Sequence, residues 1–149
     1  MSLKQLIYSA FNEQLSSKIS IAELALVSAK LARNNETKSS AGDKYETGRE
    51  LMQFEIDKQN IQLNQLKLLH AEFSKINLEK KNTQATFGSL VLTNQGNYFL
   101  SVSLGKVVLN SKSYYAISLV SPLGKSLLAK SVGDSFFFQE KEFRLLSIV

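Results

Sequence analysis

The chain of 149 residues has no cysteine, no tryptophan, one proline and one histidine, and its 18 basic against 13 acidic residues leave a net charge of +5. Without cysteine there is no disulfide framework, no thiolate nucleophile and no cysteine-ligated zinc or iron–sulfur site. A single imidazole, His70, excludes any site built on two histidines and leaves Ser-His-Asp chemistry one candidate base.

Residues 3–34 contain neither Gly nor Pro and are rich in Leu, Ala, Gln, Glu and Lys, which favour helix. Leu15, Ile19, Ala22, Leu26 and Ala29 follow alternating spacings of four and three. The longest apolar stretch, Ile19 to Ala32, is broken by Glu23 and Lys30 and is too short to span a bilayer. Met1 to Lys18 has no long apolar run and carries Glu13, unlike a signal peptide, so a cytoplasmic protein away from membranes is expected.

A polar, turn-rich segment from Asn34 to Asp43 follows. Residues 49–80 then return to helix-forming composition. Met52, Ile56, Gln59, Leu63, Leu66, His70 and Phe73 form a heptad seam with two polar interruptions, and a second stripe runs through Phe54, Ile61 and Leu68. Two helices of this length joined by a short polar segment predict an antiparallel coiled-coil hairpin, residues 1–82, with a tip loop at about 34–48. Each arm would reach on the order of 45 Å at 1.5 Å per residue, standing the tip away from the body.

After Lys81 the pattern changes. Asn82 to Thr86 reads as a linker. Short β-rich runs follow at Phe87–Thr93, Tyr98–Leu104, Lys106–Leu109, Tyr114–Leu119, Ser135–Phe138 and Phe143–Ile148. Asn94 to Asn97 and Gly105 supply turns. Ser121-Pro122 reads as an N-cap followed by Pro at the first helical position, opening a short helix through Leu128 that closes before Gly133. Residues 83–149 are therefore expected to form a small, mostly antiparallel sheet domain with one helix, giving an α+β protein. Charge divides the same way. Residues 1–82 hold 12 basic and 10 acidic residues, against 6 and 3 in residues 83–149.

Few motifs carry chemistry. Asp43 and Glu46 have capping-box spacing, and both carboxylates suit a helix N-terminus. The same pair, at the tip of a hairpin, is also a portable set of oxygen ligands for a hard cation such as Mg²⁺, shared with a second molecule. His70 reads as a polar interruption that sets register. Lys75, Lys80 and Lys81 suit a solvated helix C-terminus, with a polymer-binding patch as the minor reading because no aromatic residues interleave. No phosphate-loop pattern is present.

Taken together, these pieces resemble the Gre family of bacterial transcript-cleavage factors. Gly42-Asp43-Lys44-Tyr45-Glu46 matches that family's tip pattern of Gly-Asp, two residues, then Glu. The stretch Ile117 to Asp134, with Ser121-Pro122-Leu123-Gly124 and Gly133-Asp134, looks like its C-terminal signature, and Phe87-Gly88-Ser89-Leu90-Val91 matches the lead-in to that domain. The resemblance implies a coiled-coil hairpin followed by an FKBP-like domain, and a transcription elongation factor that binds RNA polymerase through its secondary channel and acts on paused or backtracked complexes. Asp43 and Glu46 would then support a Mg²⁺ shared with the polymerase, with no tightly bound cofactor, and Ser121, Pro122, Leu123 and Gly124 would belong to the docking domain. It further implies a monomer that is not an enzyme by itself and that meets nucleic acid, DNA included, only within the transcription complex.

The tip departs from the family pattern. Tyr45 and Thr47 stand where Ser and Asn are usual, Lys44 replaces an aliphatic residue, and Arg49 stands where a further acid is common. A Gre-like channel binder that modulates or inhibits polymerase without cleavage is therefore the alternative. A coiled-coil adaptor protein outside transcription is another. An autonomous hydrolase or isomerase is disfavoured by the missing base–nucleophile constellation.

Overall fold

The computed structural model describes residues 1–39 and 42–149, and of residues 36–45 only the course of the backbone outside 40–41. The elements run α1 (Leu3–Ser39), α2 (Gly42–Phe73), β1 (Leu90–Thr93), β2 (Asn97–Ser101), β3 (Gly105–Leu109), β4 (Lys112–Ser118), α3 (Pro122–Leu127), β5 (Ser135–Phe138) and β6 (Lys141–Ile148). This is the expected α+β architecture of two long helices followed by a small sheet with one short helix. None of the described helices is long and apolar enough to cross a membrane. The chain forms two compact units, residues 14–70 and residues 1–13 with 71–149.

Residues 14–70 are the paired stretches of α1 and α2. Every residue of the heptad seam in this unit is buried or half-buried, with Ile56 and Leu63 deepest, and the α1 residues Leu15, Ile19, Ala22, Leu26 and Ala29 are covered likewise. The helices run antiparallel: Arg33 donates to Gln53 Oε1 at 3.0 Å, and Gln53 passes a hydrogen bond to Asp57 at 3.0 Å. The second stripe is not buried. Phe54, Ile61 and Leu68 are largely exposed, as are Ile21, Leu24, Val27 and Leu31 on α1.

The helix limits differ from the sequence reading. Both helices extend further toward each other, α1 to Ser39 and α2 from Gly42; residues 34–39 are polar but carry neither Gly nor Pro to stop α1. At its other end α2 stops at Phe73 instead of continuing to residue 80. Lys75 N–H and Ile76 N–H turn back to the Glu72 and Phe73 carbonyls at 3.2 Å each, and Asn77 Oδ1 accepts from Glu79 N–H at 3.0 Å. An Asn that bonds locally to backbone competes with helix continuation.

The other unit is built on a six-stranded sheet of order β3-β4-β2-β1-β6-β5. All neighbours are antiparallel except β2 and β4, which pair in parallel with Phe99 opposite Ala116. One sheet face carries the cluster Ala85, Val91, Leu100, Leu127 and Leu145, with α3 supplying Leu127. The other carries Leu90 and Phe99, register partners on β1 and β2. Phe99 meets Phe11 at a centroid distance of 6.3 Å and Phe73 edge-on at 6.0 Å, and Tyr8 stacks on Phe73 at 4.6 Å. The first turns of α1 and the last of α2 thus share a core with the sheet.

The stretch read as a linker, 82–86, is woven into this unit. Ala85 is fully buried, its N–H donates to the Lys130 carbonyl, and its own carbonyl accepts from Ala129 N–H, both at 2.8 Å.

Candidate functional site

Two groups of residues stand out from the sequence, one on each unit. The first opens α2. Gly42 is the first residue of that helix, so Asp43 and Glu46 both belong to its first turns. Glu46 is exposed. The Asp43 side chain, and with it the expected capping box, lies outside the described residues. Residues 43 and 46 stand three apart on the α2 backbone, a spacing that puts two positions on one helix face. Among the described residues, no three acidic or imidazole side chains converge on a common point.

The second group is the Ser121–Gly124 turn. Ser121 has extended backbone (φ −67°, ψ 156°) and caps α3, accepting from Gly124 N–H at 3.0 Å and donating its hydroxyl to the Ser118 carbonyl at 2.6 Å. Pro122 fills the first helical position, where its missing N–H costs nothing. Gly124 has no space for a side chain. A Cβ there would collide with the Ser118 carbonyl oxygen and reach the Ser121 hydroxyl. The Ser-Pro-Leu-Gly spelling is thereby accounted for locally: hydroxyl cap, fixed φ, a half-buried apolar residue, and a close backbone approach.

Leu123 gives this turn an outward connection. It lines a pocket of about 250 Å³ with Tyr98, Phe138, Phe143, Gln95 and Lys141. The walls are aromatic. Tyr98 lies 6.3 Å from Phe143, and Phe138 meets Phe143 edge-on at 6.0 Å. Burial, and then the neighbouring Tyr115, pushes the Tyr98 hydroxyl above its ordinary pKa, so it remains a proton donor through the physiological range. Sequence reading marked Leu123 but not this aromatic wall, which is assembled from β2, β5 and β6. Pro122 and its neighbour Val120 are exposed beside the turn.

The remaining sequence candidates sit apart from both groups. His70 is half-buried on the helix seam. Lys75 pairs with Glu72 at 2.8 Å, both well exposed. Lys80 and Lys81 lie beyond the end of α2 and therefore do not serve its C-terminal turn, contrary to the sequence expectation.

No protein-family model and no curated protein matches the chain. Among solved structures it is similar to one described as the structure of the transcription factor Gfh1, at 22% identity and a TM-score of 0.37, covering 92% of each chain.

Proposed function

We propose that this chain is a Gre-like accessory factor that binds RNA polymerase, presenting the start of α2 to the polymerase active centre. The observation carrying the reading is the place of Gly42-Asp43-x-x-Glu46: it opens the second helix of an antiparallel helical pair, with Glu46 exposed. The Ser121-Pro122-Leu123-Gly124 element of the other unit supports the same reading, since its cap and close approach fit the family's C-terminal signature.

The donor chemistry fits a Mg²⁺ ion. Two carboxylates from one helical turn offer hard oxygen ligands and leave most of an octahedral shell to a second molecule. Asp43 and Glu46 would hold such an ion jointly with the polymerase, and the ion would supply charge stabilisation for phosphoryl chemistry. The chain's own part is to carry the two carboxylates and orient them on a helix; the reaction belongs to the polymerase, so the factor is not itself an enzyme. Leu123, Pro122 and the aromatic pocket beside them are the docking surface in this reading. Its compartment is the cytoplasm and its working form a monomer.

The residues between and beside the carboxylates favour a second reading, a channel binder that modulates polymerase without cleavage. Lys44 lies between them and Arg49 one turn beyond Glu46 on the same helix, and either cation competes with a metal for a carboxylate.

A pull-down with RNA polymerase and a transcript-cleavage assay on stalled complexes separate these readings. Cleavage by wild type, abolished in Asp43→Ala/Glu46→Ala while binding persists, is the expected result. Binding without cleavage by wild type selects the modulator. Failure to bind polymerase sinks both.

A further inference from the structure

A lysine is almost never fully buried without an anionic partner, because its ammonium gives up hydration that only a counter-charge replaces. Lys4 departs from that rule. It is 2% exposed, and its Nζ donates to the Lys80 carbonyl oxygen at 3.2 Å. A neutral carbonyl supplies no counter-charge, and an ammonium carries three donors. Among the described residues no carboxylate, the terminal group of Val149 included, forms an ion pair with it. Burial, and next the Lys80 charge, pushes the Lys4 ammonium below its ordinary pKa.

Lys4 lines a cleft of about 430 Å³, within the size range of small-ligand sites. Leu78, Ile148 and Val149 contribute its apolar lining, and Lys80 and Lys81, both exposed, add two more cations. Glu79 is the one acidic side chain on it. Three lysines against Glu79 and the terminal carboxylate of Val149, around an apolar wall, leave one positive charge that the chain does not neutralise itself.

We propose that this cleft binds a carboxylate carried on an apolar stem, the carboxylate meeting Lys4 and the rim lysines and the stem lying on Leu78 and Ile148. The lining favours carboxylate over phosphate. No arginine is present to grip a phosphate with a planar fork. The start of α1, which could otherwise present N–H groups to an anion, is already capped: Gln5 N–H donates to Ser2 Oγ at 3.2 Å, and Ser2 N–H to Gln5 Oε1 at 2.9 Å. The same chemistry arrives either as a free organic acid or as a glutamate flanked by leucines on a protein.

The test is a titration of the full chain, followed by NMR of the lysine side chains, with hexanoate, hexanol, inorganic phosphate and a Leu-Glu-Leu peptide as probes. Hexanoate is expected to shift the Lys4 signal saturably, and hexanol and phosphate to bind at least about tenfold more weakly, a factor that one charge-assisted contact readily supplies. Lys4→Met, which keeps the stem and removes the charge, should weaken hexanoate by about tenfold or more, and Lys81→Gln by a few-fold. A peptide that outcompetes hexanoate identifies a protein as the source, and one that does not identifies the free acid. Absence of saturable hexanoate binding, phosphate binding as tightly as hexanoate, or undiminished affinity in Lys4→Met overturns the proposal. Should Lys4→Met fail to fold, unchanged affinity in the surface variant Lys81→Gln overturns it as well.

Discussion

The two units bury their apolar residues in different ways. In residues 14–70, the helices cover one seam each and leave a second stripe in solvent: Phe54 is 70% exposed although it follows the same seven-residue spacing as its buried neighbours. In the sheet unit both faces of β2 are covered, with Leu100 under α3 and Phe99 against Phe11 and Phe73. The helical pair thus rests on a single line of contacts, whereas β1 and β2 at the middle of the sheet answer to two cores. A heptad pattern states which residues can face a helix, but only a partner decides which do.

That contrast can be broken at its strongest point first. Phe99→Ala should cost about 4 kcal/mol, the size of a large aromatic lost from a packed core, and chemical denaturation would register it as a fall in midpoint. An effect below about 1 kcal/mol would mean that the aromatic junction with Phe11 and Phe73 carries little weight. Gly124→Ala comes next, at about 3 kcal/mol, because the new Cβ strikes the Ser118 carbonyl and displaces the cap. Ser121→Ala, which loses the cap without the collision, should cost only about 1 kcal/mol. Comparing these two variants by thermal unfolding isolates the steric share.

Within the helical pair the difference between seam and stripe is the sharper measure. Leu63→Ala should cost about 2 kcal/mol, and Phe54→Ala less than about 0.5 kcal/mol, read as loss of helical circular dichroism on heating. Equal losses would show that the outer stripe is covered in solution. One further change runs the other way. Gln139 and Glu140 both hold left-handed backbone (φ 50° and 65°) in the two-residue turn between β5 and β6. Gln139→Asn with Glu140→Gly should stabilise by about 1 kcal/mol, since that pair suits such a turn.

The same residues explain what was legible in advance. The seam through Ile56 and Leu63 is a period, and a period survives without knowledge of the partner. The six strands and the Ser121 cap were legible because β-branched and aromatic alternation and a Ser-Pro pair act locally. The end of α2 at Phe73 was not, since Asn77 is one polar residue among many until its side chain is seen accepting from Glu79. Nor were the left-handed turns at Asn110-Ser111 and Gln139-Glu140, the second of which lacks any usual turn residue and is imposed by the pairing of its strands. Of the candidate sites, Asp43 and Glu46 were named by capping-box spacing, and the Ser121–Gly124 turn by its Ser-Pro cap together with the family resemblance. The aromatic wall around Leu123 and the burial of Lys4 depend on residues distant in sequence, and no local signal announces them.

The place of β6 in the sheet has a consequence for the order in which the molecule can form. β6 lies between β1 and β5, with Val91 opposite Ile148, so an early strand obtains one of its two neighbours from a segment synthesised much later. The helical pair needs only residues already made by position 73. On a ribosome the arms can therefore pair while β1 still presents an open edge, and that edge closes only when residues 141–148 have left the tunnel. For that interval Leu90 and Val91, both fully buried in the finished sheet, sit on a strand with one open edge, which makes β1 a segment that a chaperone or a neighbouring nascent chain would meet.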